Sequence, residues 1–174
     1  MSATCSGPAI FARGFTLTEL IVAMVVVAVI AAIAAPRMSN DPLVVATQAE
    51  QLAADIRYVQ SLAMTQATTV PSQARYRINF VSASTYTFTK ADGTAVPHPL
   101  TGSTAAIGLS SGVTMTTNLG GSLIGFDGQG IPYTDAAVSV PLGVGATAII
   151  TLTKNPATPR TVTVAPQTGL VRVP

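Results

Sequence analysis

The most informative part of the sequence is residues 14–35, which read GFTLTELIVAMVVVAVIAAIAA. From Leu20 to Ala35 the stretch is unbroken and apolar, and Pro36 ends it. As an α-helix, residues 15–35 would extend about 30 Å, the thickness of the hydrocarbon core of a bilayer. Arg13 stands just before the stretch and few charges follow it, which favours a cytoplasmic N-terminus. The sequence therefore predicts a membrane-spanning helix with the rest of the chain on the outer side.

Glu19 is an acidic residue at the start of this apolar stretch. A carboxylate near the end of a membrane helix costs about 1 to 3 kcal/mol to insert, so we expect a compensating interaction. If the chain is cut after Gly14, Phe15 gains a free α-amino group four residues before Glu19. That cation can pair with Glu19 of the same chain or of a neighbour. Between packed chains, the pair would fix the register of one helix against the next.

Residues 14–22 resemble the type III leader signature of type IV pilins and type II secretion pseudopilins. That signature has a Gly before the cut, an aromatic residue after it, a Glu shortly afterwards and a long apolar run. Thr18 departs from it, because the family usually has an apolar residue there. The resemblance implies cleavage between Gly14 and Phe15, N-methylation of Phe15 by a prepilin peptidase, and a role for Glu19 in filament assembly.

The resemblance also implies a division of the chain into three parts. Residues 1–14 would be a cleaved leader peptide, and residues 15–36 a transmembrane helix that forms the filament core. Residues 37–174 would form a periplasmic head.

Two other interpretations of the N-terminal segment stay open. Residues 32–34, Ala-Ile-Ala, fit an ordinary secretory signal cut near Ala34 or Ala35. Glu19 is a poor start for the apolar region of such a signal, however, and the Gly14–Phe15 junction would have no explanation. The other interpretation is a plain single-pass membrane anchor.

The composition argues against several functional classes. Only 9% of the 174 residues are charged and the net charge is +2, so there is no strong field for DNA or acidic lipids. Cys5 is the single cysteine and lies in the predicted leader, so the mature chain could form no disulfide. The single histidine, His98, stands between two prolines and is predicted to be a loop residue. We therefore expect no enzyme activity, no cofactor and no metal site.

A second helix is predicted at about residues 42–69. Asp41 and Pro42 are typical of a helix start. Apolar residues then recur at helical spacing and predict the face that docks on the head: Leu52, Ile56, Val59 and Ala63. Polar residues take the other positions and are expected to face solvent: Glu50, Asp55, Arg57 and Gln60.

Residues 72–174 are predicted to be rich in β-strands. Alternating residues at 76–81 and 85–90 predict a hairpin, and a long loop at 93–111 either makes a specific contact or is mobile. Further strands are predicted at 113–117, 122–126, 146–153, 160–165 and 169–173, the last two as a hairpin around residues 166–169. Asp127 to Gly130 fits a tight turn better than a calcium loop. The predicted fold class is α+β: a long N-terminal helix, transmembrane and then amphipathic, packed on an antiparallel β-rich head.

The head resembles the GspH/FimT family in residues 53–63, 124–132, 149–152, 160–164 and 168–173. That family comprises minor pilins and the H-type minor pseudopilin. The resemblance implies a structural subunit that helps to start or tip the type II secretion pseudopilus for protein export. The alternative is a minor type IV pilin used in pilus assembly, adhesion or DNA uptake, and a membrane-anchored enzyme is the least favoured reading.

The resemblance implies specific partners and a location. The partners would be other pseudopilins or pilins through the N-terminal helix, the prepilin peptidase, and the assembly platform of the bacterial inner membrane. The chain would be single-pass with its head in the periplasm, and would join a periplasmic or cell-surface filament. A nucleic acid is the least favoured partner, because only four arginines lie on the predicted strands: Arg75, Arg77, Arg160 and Arg172.

Overall fold

The computed structural model of the chain describes residues 16–34, 41–66, 76–135 and 140–174. The chain divides into two compact units, residues 1–39 and residues 40–174. The predicted leader and the predicted boundary between residues 36 and 37 lie outside the described residues. The three-part division of the chain therefore stays a prediction.

The first unit contains helix α1, Leu17–Ala34. Every residue from Thr16 to Ala32 is exposed. Among the described residues, no helix combines the length and the apolar character needed to cross a membrane. The predicted segment 15–36 continues beyond the described residues at both of its ends.

The second unit begins with helix α2, Asp41–Thr65. The predicted helix ran to residue 69, but Gln66 already forms a bend and residues 67–69 lie outside the described part. The predicted apolar face is confirmed, because Leu52, Ile56, Val59 and Ala63 are all buried. Val45 and Ala49 extend this face towards the N-terminus, and Ala53 is buried beside it. The prediction for Asp55 is wrong, because this residue is buried with only 4% of its surface exposed.

Nine strands follow among the described residues of this unit. They are β1 Tyr76–Ser82, β2 Thr85–Lys90, β3 Ile107–Gly108, β4 Thr114–Thr117, β5 Leu123–Phe126, β6 Pro132–Tyr133, β7 Ala148–Thr153, β8 Arg160–Val164 and β9 Val171–Arg172. Strands β3 and β6 were not predicted, because a two-residue strand has no alternating pattern to recognise. The predicted strand at residues 169–173 is shorter than expected, since the residues before Val171 form the turn.

One sheet has five strands in the order β3-β2-β1-β5-β6, and every pair is antiparallel. The predicted β1–β2 hairpin is confirmed, with Tyr76, Ile78 and Phe80 directed into the core. Its register shifts between Phe80 and Ser82. This β-bulge leaves Val81 without a partner on β2.

The other sheet has four antiparallel strands in the order β4-β7-β8-β9. The predicted hairpin around residues 166–169 is confirmed as the connection from β8 to β9. Its turn has two residues in the left-handed region, Gln167 at φ 66° and Gly169 at φ 62°. The predicted α+β class is therefore confirmed: α2 packs on two antiparallel sheets.

Polar side chains of α2 fasten the turns and loops around it. Gln60 Nε2 donates to the carbonyl oxygens of Gly130, at 3.0 Å, and Thr168, at 3.2 Å. Arg57 Nη2 donates to the carbonyl oxygen of Val171 at 3.0 Å. The helix therefore binds the turn after β5 in one sheet and the β8–β9 hairpin in the other.

We predict that Gly169→Ala destabilises the second unit more than Gly102→Ala does. Both glycines have similar dihedrals, φ 62° and φ 66°. A Cβ at residue 169 would overlap the Gly130 carbonyl oxygen and the Gln60 amide, whereas a Cβ at residue 102 meets nothing within 4 Å. In urea unfolding followed by circular dichroism, Gly102→Ala should cost about 1 kcal/mol, from backbone strain alone. Gly169→Ala should cost about 3 kcal/mol, and equal losses would contradict this packing.

Candidate functional site

Thr16 caps the first turn of α1. Its Oγ1 accepts the backbone N–H of Glu19 at 3.3 Å, and its carbonyl oxygen accepts the N–H groups of Glu19, at 3.1 Å, and Leu20, at 3.2 Å. A Thr followed three residues later by a Glu is the spacing of a helix capping box. Glu19 therefore occupies the third helical position, where a carboxylate interacts favourably with the helix dipole.

The predicted assembly residue Glu19 is exposed at this helix start. It is the single ionisable residue within Leu17–Ala34. Gly14 and Phe15 lie outside the described residues, so cleavage, methylation and the pairing of Glu19 with an α-amino group stay predictions. Sequence reasoning missed the capping role of Thr16, although the Thr-x-x-Glu spacing was available as a signal.

The surface of α1 is apolar on all sides. Its large side chains are between 51% and 76% exposed: Leu17, Leu20, Ile21, Val22, Met24, Val25, Val26, Val27, Val29 and Ile30. A helix surface of this kind is normally covered by lipid or by other helices. The first unit therefore combines a single carboxylate with a long apolar surface available for association.

The second unit has a polar cluster in its core that the sequence did not reveal. Tyr86 of β2 donates its hydroxyl to Asp55 Oδ2 at 2.5 Å, and His98 Nε2 lies 3.2 Å from Asp55 Oδ1. Asp55 and His98 are each only 4% exposed. The His98 ring also stacks on Phe88, with 5.7 Å between ring centroids. The cluster therefore joins the loop after β2 to the middle of α2.

The backbone fixes the roles of the two His98 nitrogens. The N–H of Leu100 donates to Nδ1 at 3.2 Å, so Nδ1 is an acceptor and the ring proton is on Nε2, which donates to Asp55. Burial, together with the hydrogen bond to Asp55 and its charge, raises the pKa of Tyr86 above its usual range, so the hydroxyl keeps its proton and its donor role. Because both His98 nitrogens make hydrogen bonds, this geometry holds the loop in place.

The predictions for His98 and Asp55 can be compared with their positions in this cluster. His98 does lie in a loop, but it is buried, and the long loop at 93–111 makes a specific contact with α2 through it. Asp55 lies three residues after Leu52 and four before Val59, which is the spacing of the apolar face. That spacing indicates a buried position for Asp55, but the charged side chain led to the prediction that it faces solvent.

Asp127 stabilises the tight turn that the sequence predicted after β5. Its Oδ1 accepts the N–H groups of Gln129 and Ile131, both at 2.9 Å, and its Oδ2 accepts the hydroxyl of Tyr133 at 3.2 Å. Gly130 completes the turn at φ 79°. The turn interpretation is therefore confirmed, with both oxygens of Asp127 used inside the turn itself.

The arginines considered for DNA binding do not lie in one sheet. Arg77 belongs to the five-stranded sheet and donates Nε to Thr89 Oγ1 at 2.8 Å. Arg160 and Arg172 belong to the four-stranded sheet and are exposed, and Arg75 lies outside the described residues. The described arginines therefore form no single basic sheet face.

Comparison with known proteins finds one sequence motif and one matching fold. Residues 11–35 match a family model described as the prokaryotic N-terminal methylation motif. The fold matches the type IV minor pilin FimU of Pseudomonas aeruginosa strain PAO1, seen in two crystal forms. One superposes with a TM-score of 0.51 at 16% identity over 75% of this chain and 87% of FimU, and the other with 0.50 at 15% over 74% and 90%. This chain carries an N-terminal methylation motif and has a pilin-like fold.

The two matches differ in what they establish about the chain. The motif range 11–35 includes Gly14, Phe15, Thr16 and Glu19. The FimU likeness, at these identities, establishes the fold. No curated protein matches the chain significantly by sequence.

We predict that Tyr86→Phe destabilises the pilin-like head more than Tyr58→Phe. Removing the Tyr86 hydroxyl leaves Asp55 Oδ2 buried without that donor, which should cost about 1 to 3 kcal/mol. Tyr58 is only half-buried and its hydroxyl lies 3.5 Å from the Pro97 carbonyl oxygen, so water can replace it. Its loss should cost less than about 0.5 kcal/mol. Urea unfolding of the two variants is the measurement, and equal losses would show that the cluster contributes nothing specific.

Proposed function

We propose that this chain is a minor structural subunit of a pilin-like filament. A prepilin peptidase would cut it between Gly14 and Phe15 and methylate Phe15. Segment 15–36 would anchor it in the bacterial inner membrane, with residues 37–174 as the periplasmic head. The observation that carries this proposal is the exposed Glu19 in the capped first turn of a helix that is apolar from Leu20 onwards, within the range that matches the methylation motif.

The surface of α1 supports assembly as the purpose of this segment. Apolar side chains surround the helix, so lipid can cover them before assembly and neighbouring helices can cover them afterwards. Packing of such uniform surfaces does not by itself define one axial position. A charge pair can define it, because attraction between opposite charges is much stronger in an apolar surrounding than in water.

Glu19 would supply the negative partner of that pair. Cleavage after Gly14 would create the positive partner, the α-amino group of Phe15. The Thr16 cap holds the backbone of Glu19 at the third helical position, so the carboxylate starts from a defined point on the helix. Subunits would then join in one register only.

Two filaments are candidates. The sequence resemblance favours the type II secretion pseudopilus, where the chain would help to start or tip the filament for protein export. The likeness of the fold to the minor pilin FimU supports a type IV pilus, with roles in assembly, adhesion or DNA uptake. In either filament the partners would be other subunits and an assembly platform of the inner membrane, and the chain would have no enzymatic activity. Crosslinking to the major subunit of each filament separates them.

We predict that Glu19→Gln is cleaved and membrane-located but fails to assemble. Glutamine keeps the shape and the helix while it removes the charge that pairs with the α-amino group. Crosslinking to co-expressed major subunits should fall at least about tenfold, which corresponds to about 1.4 kcal/mol of lost interaction.

Glu50→Gln is the matched control, because Glu50 is exposed on α2. This variant should crosslink like the original chain. If Glu19→Gln also crosslinks normally, Glu19 is an incidental residue at the level of the lipid headgroups and the assembly proposal is wrong.

A further inference from the structure

A groove of about 420 Å³ lies between the end of β1 and strand β4. Its lining includes Phe80, Val81, Ser82, Met115, Thr117 and Leu119, and none of its lining residues is charged. Phe80, Met115 and Leu119 are buried, whereas Val81, on the outward face of β1, is 63% exposed. We call this feature the edge groove.

Strand β4 is an edge of its sheet and turns main-chain groups towards the edge groove. The N–H of Asn118 donates to the Ile149 carbonyl oxygen at 3.2 Å, whereas the N–H of Met115 points the other way and donates to Ala83 at 2.6 Å. Main-chain groups alternate in direction along an antiparallel strand. Thr117 therefore directs its N–H and C=O away from β7, and among the described residues neither group has a main-chain partner.

This edge is only partly protected against pairing. Natural sheets shield exposed edges with charged residues, prolines or covering loops. Strand β4 reads TMTT, without charge or proline, and the Ala83 turn covers only the Met115 position. Beside Thr117 an open main-chain edge therefore adjoins an uncharged groove with apolar side chains.

We propose that the edge groove binds a short, uncharged, extended segment of another protein chain. The segment adds to the four-stranded sheet beside β4, with its main chain bonded to the N–H and C=O of Thr117. One of its apolar side chains lies against Val81, an exposed apolar side chain of the groove. A peptide suits this lining because the groove offers main-chain groups and apolar surface but no cation for a nucleic acid or an anionic lipid headgroup.

The test begins with random heptapeptides displayed on phage and selected on the full-length protein in detergent. Recovered peptides are synthesised, and their affinity is measured by fluorescence anisotropy. We expect peptides with alternating apolar residues. Their binding should slow hydrogen exchange at the Thr117 amide.

Variants at Thr117 test the main-chain contact. Proline removes the outward N–H without breaking a bond to β7, whereas Thr117→Val keeps the N–H and is the matched control. Thr117→Pro should weaken binding about tenfold or more, and Thr117→Val should bind normally. Val81→Lys changes an exposed position and should also weaken peptide binding. This variant tests the proposal if Thr117→Pro fails to fold. Failure to recover any peptide, or peptides that bind Val81→Lys and a folded Thr117→Pro as well as the original chain, would overturn the proposal.

Discussion

The head depends on one helix face that has to fit two separate sheets. The five-stranded and four-stranded sheets share no strand, and α2 packs against both. Its apolar face contributes to a core shared with both sheets. Its polar side chains donate hydrogen bonds to the carbonyl oxygens of Gly130, Thr168 and Val171. The buried carboxylate of Asp55 has the same purpose at the middle of the helix. Burial of such a charge is unfavourable without partners, and Tyr86 and His98 supply them.

The two units differ in whether their apolar side chains are buried or exposed. Among the described residues of the second unit, most apolar side chains of α2 and the strands cover one another. In helix α1 they surround the helix and stay exposed, and Glu19 is the single charge among them. A self-sufficient head and an uncovered helix are what a filament subunit needs, because the helix can then associate without altering the fold of the head. The proposed binding of a peptide segment beside β4 would add a second kind of contact with another chain, made by the head itself.

Sequence reasoning succeeded where a pattern repeats over many residues. The apolar face of α2, the alternation in β1 and β2, and the Gly-bearing turns at Gly130 and Gly169 were all readable, since each is local. It failed where distant residues meet. Asp55 looked solvent-facing because Tyr86 and His98 come from segments well separated in sequence. Arg77 and Arg160 likewise could not be assigned to different sheets, because alternation identifies strands but not their neighbours.

We propose that residues 1–14 are removed as a prepilin leader and that the apolar helix is retained. The sharpest test is intact-mass and N-terminal fragment analysis of the mature protein from cells that contain a prepilin peptidase. We expect a chain that begins with N-methylated Phe15, and an uncut chain in cells that lack the peptidase. A mature chain that begins at Ala35 or Pro36 would contradict it, because the apolar segment would then be a secretory signal and no filament helix would remain.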